Sequence, residues 1–231
     1  MQPAWNASMN LRQSVFEYLR DISSTVRRII VVHDSLMAFV VQDIATIPNA
    51  ESYVFNCIST FTQASFAWEG IGKPFPIELP KELPSWEGCS TDELKEFAVL
   101  QFKHLDIRAG DIYNTSRIIE GTYVDILARE EIVGSRKLWA FQCQMYSDQP
   151  RNAMFITDIL KIGILVREWT QYEELVKASM IENVVRRLMA SDEGIEIRKK
   201  AEEVADAVRM STEAGGVSRK ELDSFISHIT R

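Results

Sequence analysis

Two short stretches carry residue types that could do chemistry. In MYSDQPRNA, Met145 to Ala153, a carboxylate and an amide, Asp148 and Gln149, stand side by side between two apolar runs. The pattern reads as a helix start. Ser147 or Asp148 caps the first turn, Pro150 occupies a position where a missing N–H costs nothing, and the carboxylate favours the positive end of the dipole. In RRIIVVHDS, His33, Asp34 and Ser35 follow the β-branched run Ile29 to Val32. They stand at the carboxyl end of a strand, where α/β proteins present ligand-binding groups. As a hydrolase triad the trio fails, because adjacent residues on an extended chain point to opposite sides and no G-x-S-x-G elbow occurs. Capping of the next helix by Asp34 or Ser35 is the alternative reading. His104 and His228 have no Cys, His or acidic partner at metal-ligand spacing, and EGIGKP lacks the strand and spacing of a phosphate loop.

The elements that must hold these groups follow from periodicity. Leu11, Val15, Leu19 and Ile22 recur at helical spacing, which predicts a helix from about Ser8 to Ile22. Ile29 to Val32 is unbroken and apolar, as in a strand buried on both faces of a parallel sheet. LMAFVVQDIATI then reads as helix, SYVFNCIS as strand and FTQASFAWEGIG as helix. That alternation argues for an α/β layered fold. Lys73 to Gly88, with four prolines, is a surface loop. After it come the capped helix STDELKEFAVLQF, the strand GDIYNTS, the helix IEGTYVDILARE and the strand KLWAF. The second half predicts a helix over DQPRNAMFITDILKIG ended by Gly163, a short strand at ILVR, and three further helices, the last being VSRKELDSFISHITR.

Composition removes several classes of function. The chain has 231 residues, 46% of them hydrophobic, which is ample for a core, and a net charge of −7 argues against a nucleic-acid partner. The cysteines at 57, 89 and 143 are odd in number and scattered, which fits reduced thiols in a cytoplasmic protein. No apolar run is long enough for a membrane span, and no metal site is expected.

Taken together, RIIVVHDSLMAFVVQDIA, SWEGC, GDIYNTSRIIEGTYVDIL, KLWAF, SDQPRNA, KIGILVREW and GGVSRKELDSFISHI resemble, in order, the plant family 1 UDP-glycosyltransferases, and within them the zeatin O-glucosyltransferase and O-xylosyltransferase group. The resemblance implies an α/β fold made of incomplete paired Rossmann-like domains of the GT-B type. Residues 1–141 would form an acceptor-side domain and 142–231 a donor-side domain, with the helix from Ser218 crossing back onto the first. It also implies transfer of glucose or xylose from a UDP-sugar, with inversion and without a further cofactor, to a small hydroxylated acceptor such as zeatin. By resemblance, Asp148 and Gln149 contact the donor sugar. A carboxylate accepts from neighbouring hydroxyls, and an amide both donates and accepts. Asp34 would be the catalytic carboxylate that orients a histidine base.

Two departures qualify that expectation. The family's glycine-histidine loop, which carries the base, has no counterpart here, and His33 does not replace it. Most of the donor-binding box is absent as well, because Phe141 passes through Gln142, Cys143 and Gln144 straight to Met145. Impaired catalysis is therefore expected, the alternative being a non-catalytic truncated or mis-spliced remnant that acts as an interaction partner or has no role of its own. Strands deprived of neighbours should also expose edges and apolar surface, which invites self-association.

Overall fold

The computed structural model describes residues 7–72, 83–84, 91–129, 136–141, 149–171 and 173–231. Four strands, β1 (Ile29–Asp34), β2 (Ala50–Asn56), β3 (Gly110–Tyr113) and β4 (Lys137–Ala140), form one parallel sheet in sequential order. The described helices are α1 (Arg12–Ser23), α2 (Thr60–Gly70), α3 (Asp92–Phe102), α4 (Arg117–Leu127), α5 (Gln149–Met154), α6 (Ala178–Ala190), α7 (Asp192–Thr212) and α8 (Val217–Ile229). Side-chain oxygens set several starts. Ser59 accepts from Thr62 N–H, Thr91 from Leu94 N–H and Ser191 from Gly194 N–H, each satisfying a donor that the first turn leaves free.

The register pairs Val32 with Tyr53, Phe55 with Ile112, and Ile112 with Trp139, which sorts the side chains onto two faces. Sequential order with right-handed crossovers sends every connection to the same side. On that side Ile29 packs with Leu19 and Ile47, and Tyr113 with Phe61, Ala64, Tyr123 and Leu127. The other face is covered from the far end of the chain. Phe225 of α8 packs on Tyr53, Ile112 and Trp139, with Ile229 at the margin. Arg28 holds the end of that helix by donating to the carbonyls of His228 and Ile229, while its other arm meets Glu51 at 2.6 Å.

Several expectations are corrected. β1 is not buried on both faces: Val32 is 49% exposed, and among the described residues β1 is the outer strand of the sheet. LMAFVVQDIATI is not one helix but two 3-10 turns around the four-residue α-helical turn Ala38–Val41; the buried Ala38, Val41, Ile44 and Ile47 recur every third residue, the period of a 3-10 helix. The helix from Gln149 widens into a π-helical turn at Phe155–Ile159 and stops before Gly163. Lys161 takes the left-handed conformation (φ 57°), and Ile162 N–H closes the end on the Ile156 carbonyl at 3.0 Å. ILVR forms no strand. A strand needs a ladder partner, and among the described residues none lies beside it.

Candidate functional site

Asp34 closes β1 in an extended conformation (φ −64°, ψ 149°), and both of its carboxylate oxygens are engaged. Oδ1 accepts from Leu36 N–H at 2.7 Å and so caps the turn Ser35–Met37. Oδ2 accepts from the Cys57 thiol at 2.8 Å, reaching across from the end of β2. The alternation of the strand puts the neighbouring His33 on the opposite face. Its Nδ1 sits 2.9 Å from the Asp34 backbone carbonyl, its buried Nε2 has no hydrogen-bond partner among the described residues, and burial pushes its pKa below the usual histidine value. His104 stacks edge-on against Phe39, and His228 lies beside Trp139 and Tyr53. No imidazole contacts the Asp34 carboxylate, so the pairing that would make this group support a base is not formed.

Of the two other sequence-derived site residues, Asp148 lies outside the described residues. Gln149 is the first residue of α5, with Pro150 in its first turn. The helix is anchored on α2 by Arg151, which donates to Glu69 at 3.0 Å, and whose guanidinium sits 4.2 Å from the centre of the Phe66 ring. Phe61 and Phe155 stack at 5.3 Å and continue that contact into the core.

One buried carboxylate went unread in the sequence. Glu120 accepts from Phe61 N–H at 2.9 Å and Thr60 N–H at 3.3 Å, so it caps the start of α2 from within α4, and the Thr115 hydroxyl donates to it as well. Burial raises its pKa above the ordinary glutamate value, and these donors oppose the rise. A signal for it existed: Glu120, Tyr123, Val124 and Leu127 share the buried stripe of α4, so a carboxylate stands where the helical period calls for an apolar residue. Asp111 of β3 is buried similarly against Arg108 at 2.8 Å. No cluster of His, Cys, Asp and Glu fit to hold a metal occurs among the described residues, and no described helix is long and apolar enough to cross a membrane.

Comparison with known proteins extends this description. The family described as "Glycosyltransferase, N-terminal domain" matches residues 1–142. The zeatin O-glucosyltransferase of Phaseolus lunatus is 29% identical over 370 aligned positions, covering 99% of this chain and 80% of the relative. The zeatin O-xylosyltransferase of Phaseolus vulgaris is 29% identical over 369 positions, covering 99% and 81%. Both alignments are far longer than the 231-residue chain, so they pass over positions of the relatives for which this chain has no residue. Among solved structures, Phytolacca americana UGT2 complexed with UDP-2-fluoro-glucose and pterostilbene superposes with a TM-score of 0.75 at 13% identity, covering 98% of this chain and 81% of that one. Glycyrrhiza uralensis UGT73P12 gives a TM-score of 0.69 at 13% identity, covering 95% and 76%. At that identity the likeness speaks for the fold, which is the GT-B arrangement of plant glycosyltransferases in an incomplete form. With that fold around it, and with a family domain spanning more than half of its length, the chain belongs to the plant UDP-glycosyltransferases.

Proposed function

We propose that this chain is a zeatin O-glycosyltransferase-like protein that has lost most or all of its transfer activity. In this reading residues 1–141 are the acceptor-side half and 142–231 the donor-side half. Asp148 and Gln149 are the remnant of the surface that meets the donor sugar, and Asp34 is the carboxylate that once oriented a base. The observation that carries the proposal is the state of Asp34: both oxygens are taken by Leu36 N–H and the Cys57 thiol, with no imidazole in contact. Inverting transfer needs a group to take the acceptor's proton, and its loss typically costs about 10² to 10⁴ in rate. The purified protein, incubated with UDP-glucose or UDP-xylose and trans- or cis-zeatin, is expected to give no product above a boiled control. Product clearly above that control and abolished by Asp34→Ala would overturn the reading.

What remains for such a chain is the role of an interaction partner. The outer edge of β1 supports this part of the reading, since no strand among the described residues pairs with it and the strand carries the half-exposed Val32.

A further inference from the structure

His33 is only 8% exposed, and the geometry of β1 fixes where its hydrogen sits. Nδ1 lies 2.9 Å from the Asp34 carbonyl oxygen, which can only accept, so Nδ1 carries the hydrogen of the neutral ring. A second proton can go only onto Nε2. That atom is buried and has no hydrogen-bond partner among the described residues, so a charged ring in this place would lose its hydration and keep an unsatisfied N–H. The surroundings do not offset that cost. On the same face of the sheet the register sets Val54 of β2 opposite His33, with Asp111 of β3 beyond Val54. Asp111 attracts a charged ring, but its carboxylate is held by Arg108 at 2.8 Å, and Arg108 repels the ring. Asp34 attracts it from the same strand. From α3 come the uncharged Gln101, whose Oε1 accepts from Phe39 N–H at 2.8 Å, and His104, which stacks on Phe39. Farther along this layer Arg12 of α1 and Asp43 satisfy each other at 2.6 Å. Burial outweighs the attractions, and the pKa of His33 lies below the usual histidine value.

The carboxyl end of β1 is also a part of the sheet able to give way. Among the described residues β1 pairs with β2 alone. Beyond that ladder its end is fastened at Asp34, whose carbonyl meets His33 and whose carboxylate accepts from Leu36 N–H and the Cys57 thiol. We propose that this end of β1 is an acid-sensitive latch: protonation of His33 at Nε2 releases residues 33–36 so that the ring reaches water, and frees the Asp34 carboxylate from Leu36 and Cys57. The proton comes from solvent, and no covalent bond is made or broken. The inference does not depend on whether the chain transfers a sugar. Because the closed form binds the second proton less readily than the open one, closure is complete above the ordinary histidine value of about 6.5. It weakens as pH falls below that value.

Amide hydrogen exchange of the full chain, followed by NMR at about pH 7.5 and about pH 5.5 and divided by the intrinsic rate at each pH, reads the opening directly. Protection of the Leu36 and β1 amides is expected to fall about five- to tenfold between the two, since one pH unit below the histidine value favours the open form by at most about tenfold. The β3 amides should keep their protection. His33→Asn, which retains a short side-chain donor and does not titrate, and His33→Phe, which retains a ring, should each abolish the fall. The nitrogen shifts of the imidazole give a readout that needs no variant: at about pH 7.5 the hydrogen of His33 should be on Nδ1, and the ring should titrate below the ordinary value. A hydrogen found on Nε2, or titration at or above the ordinary value, overturns the proposal. So does protection that stays constant, a fall shared equally by β3, or a fall that persists in both variants.

Discussion

Replacing Phe225 with alanine is expected to lower stability by about 3–5 kcal/mol, a large part of the roughly 5–15 kcal/mol available to an ordinary domain. Phe225 is buried among Tyr53, Ile112 and Trp139, with ring centroids 5.3 Å from Tyr53 and 5.1 Å from Trp139. It is the residue through which α8 closes the second face of the sheet. Its removal leaves a cavity and also loosens the helix that Arg28 and Glu221 tie down, Glu221 accepting from Arg117 at 2.7 Å. At about 2–4 °C per kcal/mol for a chain of this size, the melting temperature should fall by roughly 6–20 °C. A shift of under about 2 °C by calorimetry would mean that α8 is not what holds that face closed. Ile226→Ala, at an exposed position of the same helix, is the control and should change little.

Glu120→Ala is expected to cost about 2–5 kcal/mol by a different route. It leaves the N–H groups of Thr60 and Phe61 and the Thr115 hydroxyl without their acceptor in a buried place, and such donors cost about 1–3 kcal/mol each when unsatisfied. The pH dependence separates this role from simple packing. Because burial raises the folded-state pKa of Glu120, the folded protein binds its proton more tightly than the unfolded chain does. The contribution is therefore fully present below the unfolded glutamate value and is lost as pH rises through the folded one. Glu120→Gln cannot titrate, so wild-type stability relative to this variant should decline as pH increases from the ordinary glutamate range upward. Denaturant unfolding at a series of pH values measures the difference. A gap that stays constant, or widens in favour of wild type with rising pH, would rule out the raised pKa.

Most of the strands and helices were legible because their signals are local. The β-branched run Ile29 to Val32, the aromatic and β-branched stretch Tyr53 to Phe55, capping residues such as Thr91, and the periodicity of α1 and α8 each act over a few residues, so sequence alone located them. The family resemblance was legible for the same reason, being carried by short ordered motifs, and the family match and the GT-B fold agree with it. What depended on partners distant in sequence was not legible. The apolar run of β1 looks like a central strand, but its place at the edge depends on which strands are present to pair with it. ILVR has the composition of a strand and forms none, because a ladder takes two segments and composition describes one. Asp34 shows the same division at the candidate site. The sequence established a carboxylate at the carboxyl end of a strand, with capping and catalysis both open as roles. Only the tertiary structure, by bringing Cys57 from the end of β2 and turning His33 to the other face, decided that both oxygens are occupied and that no base stands beside them. A hydrogen bond across 23 residues leaves no periodic trace in the chain that folds to make it.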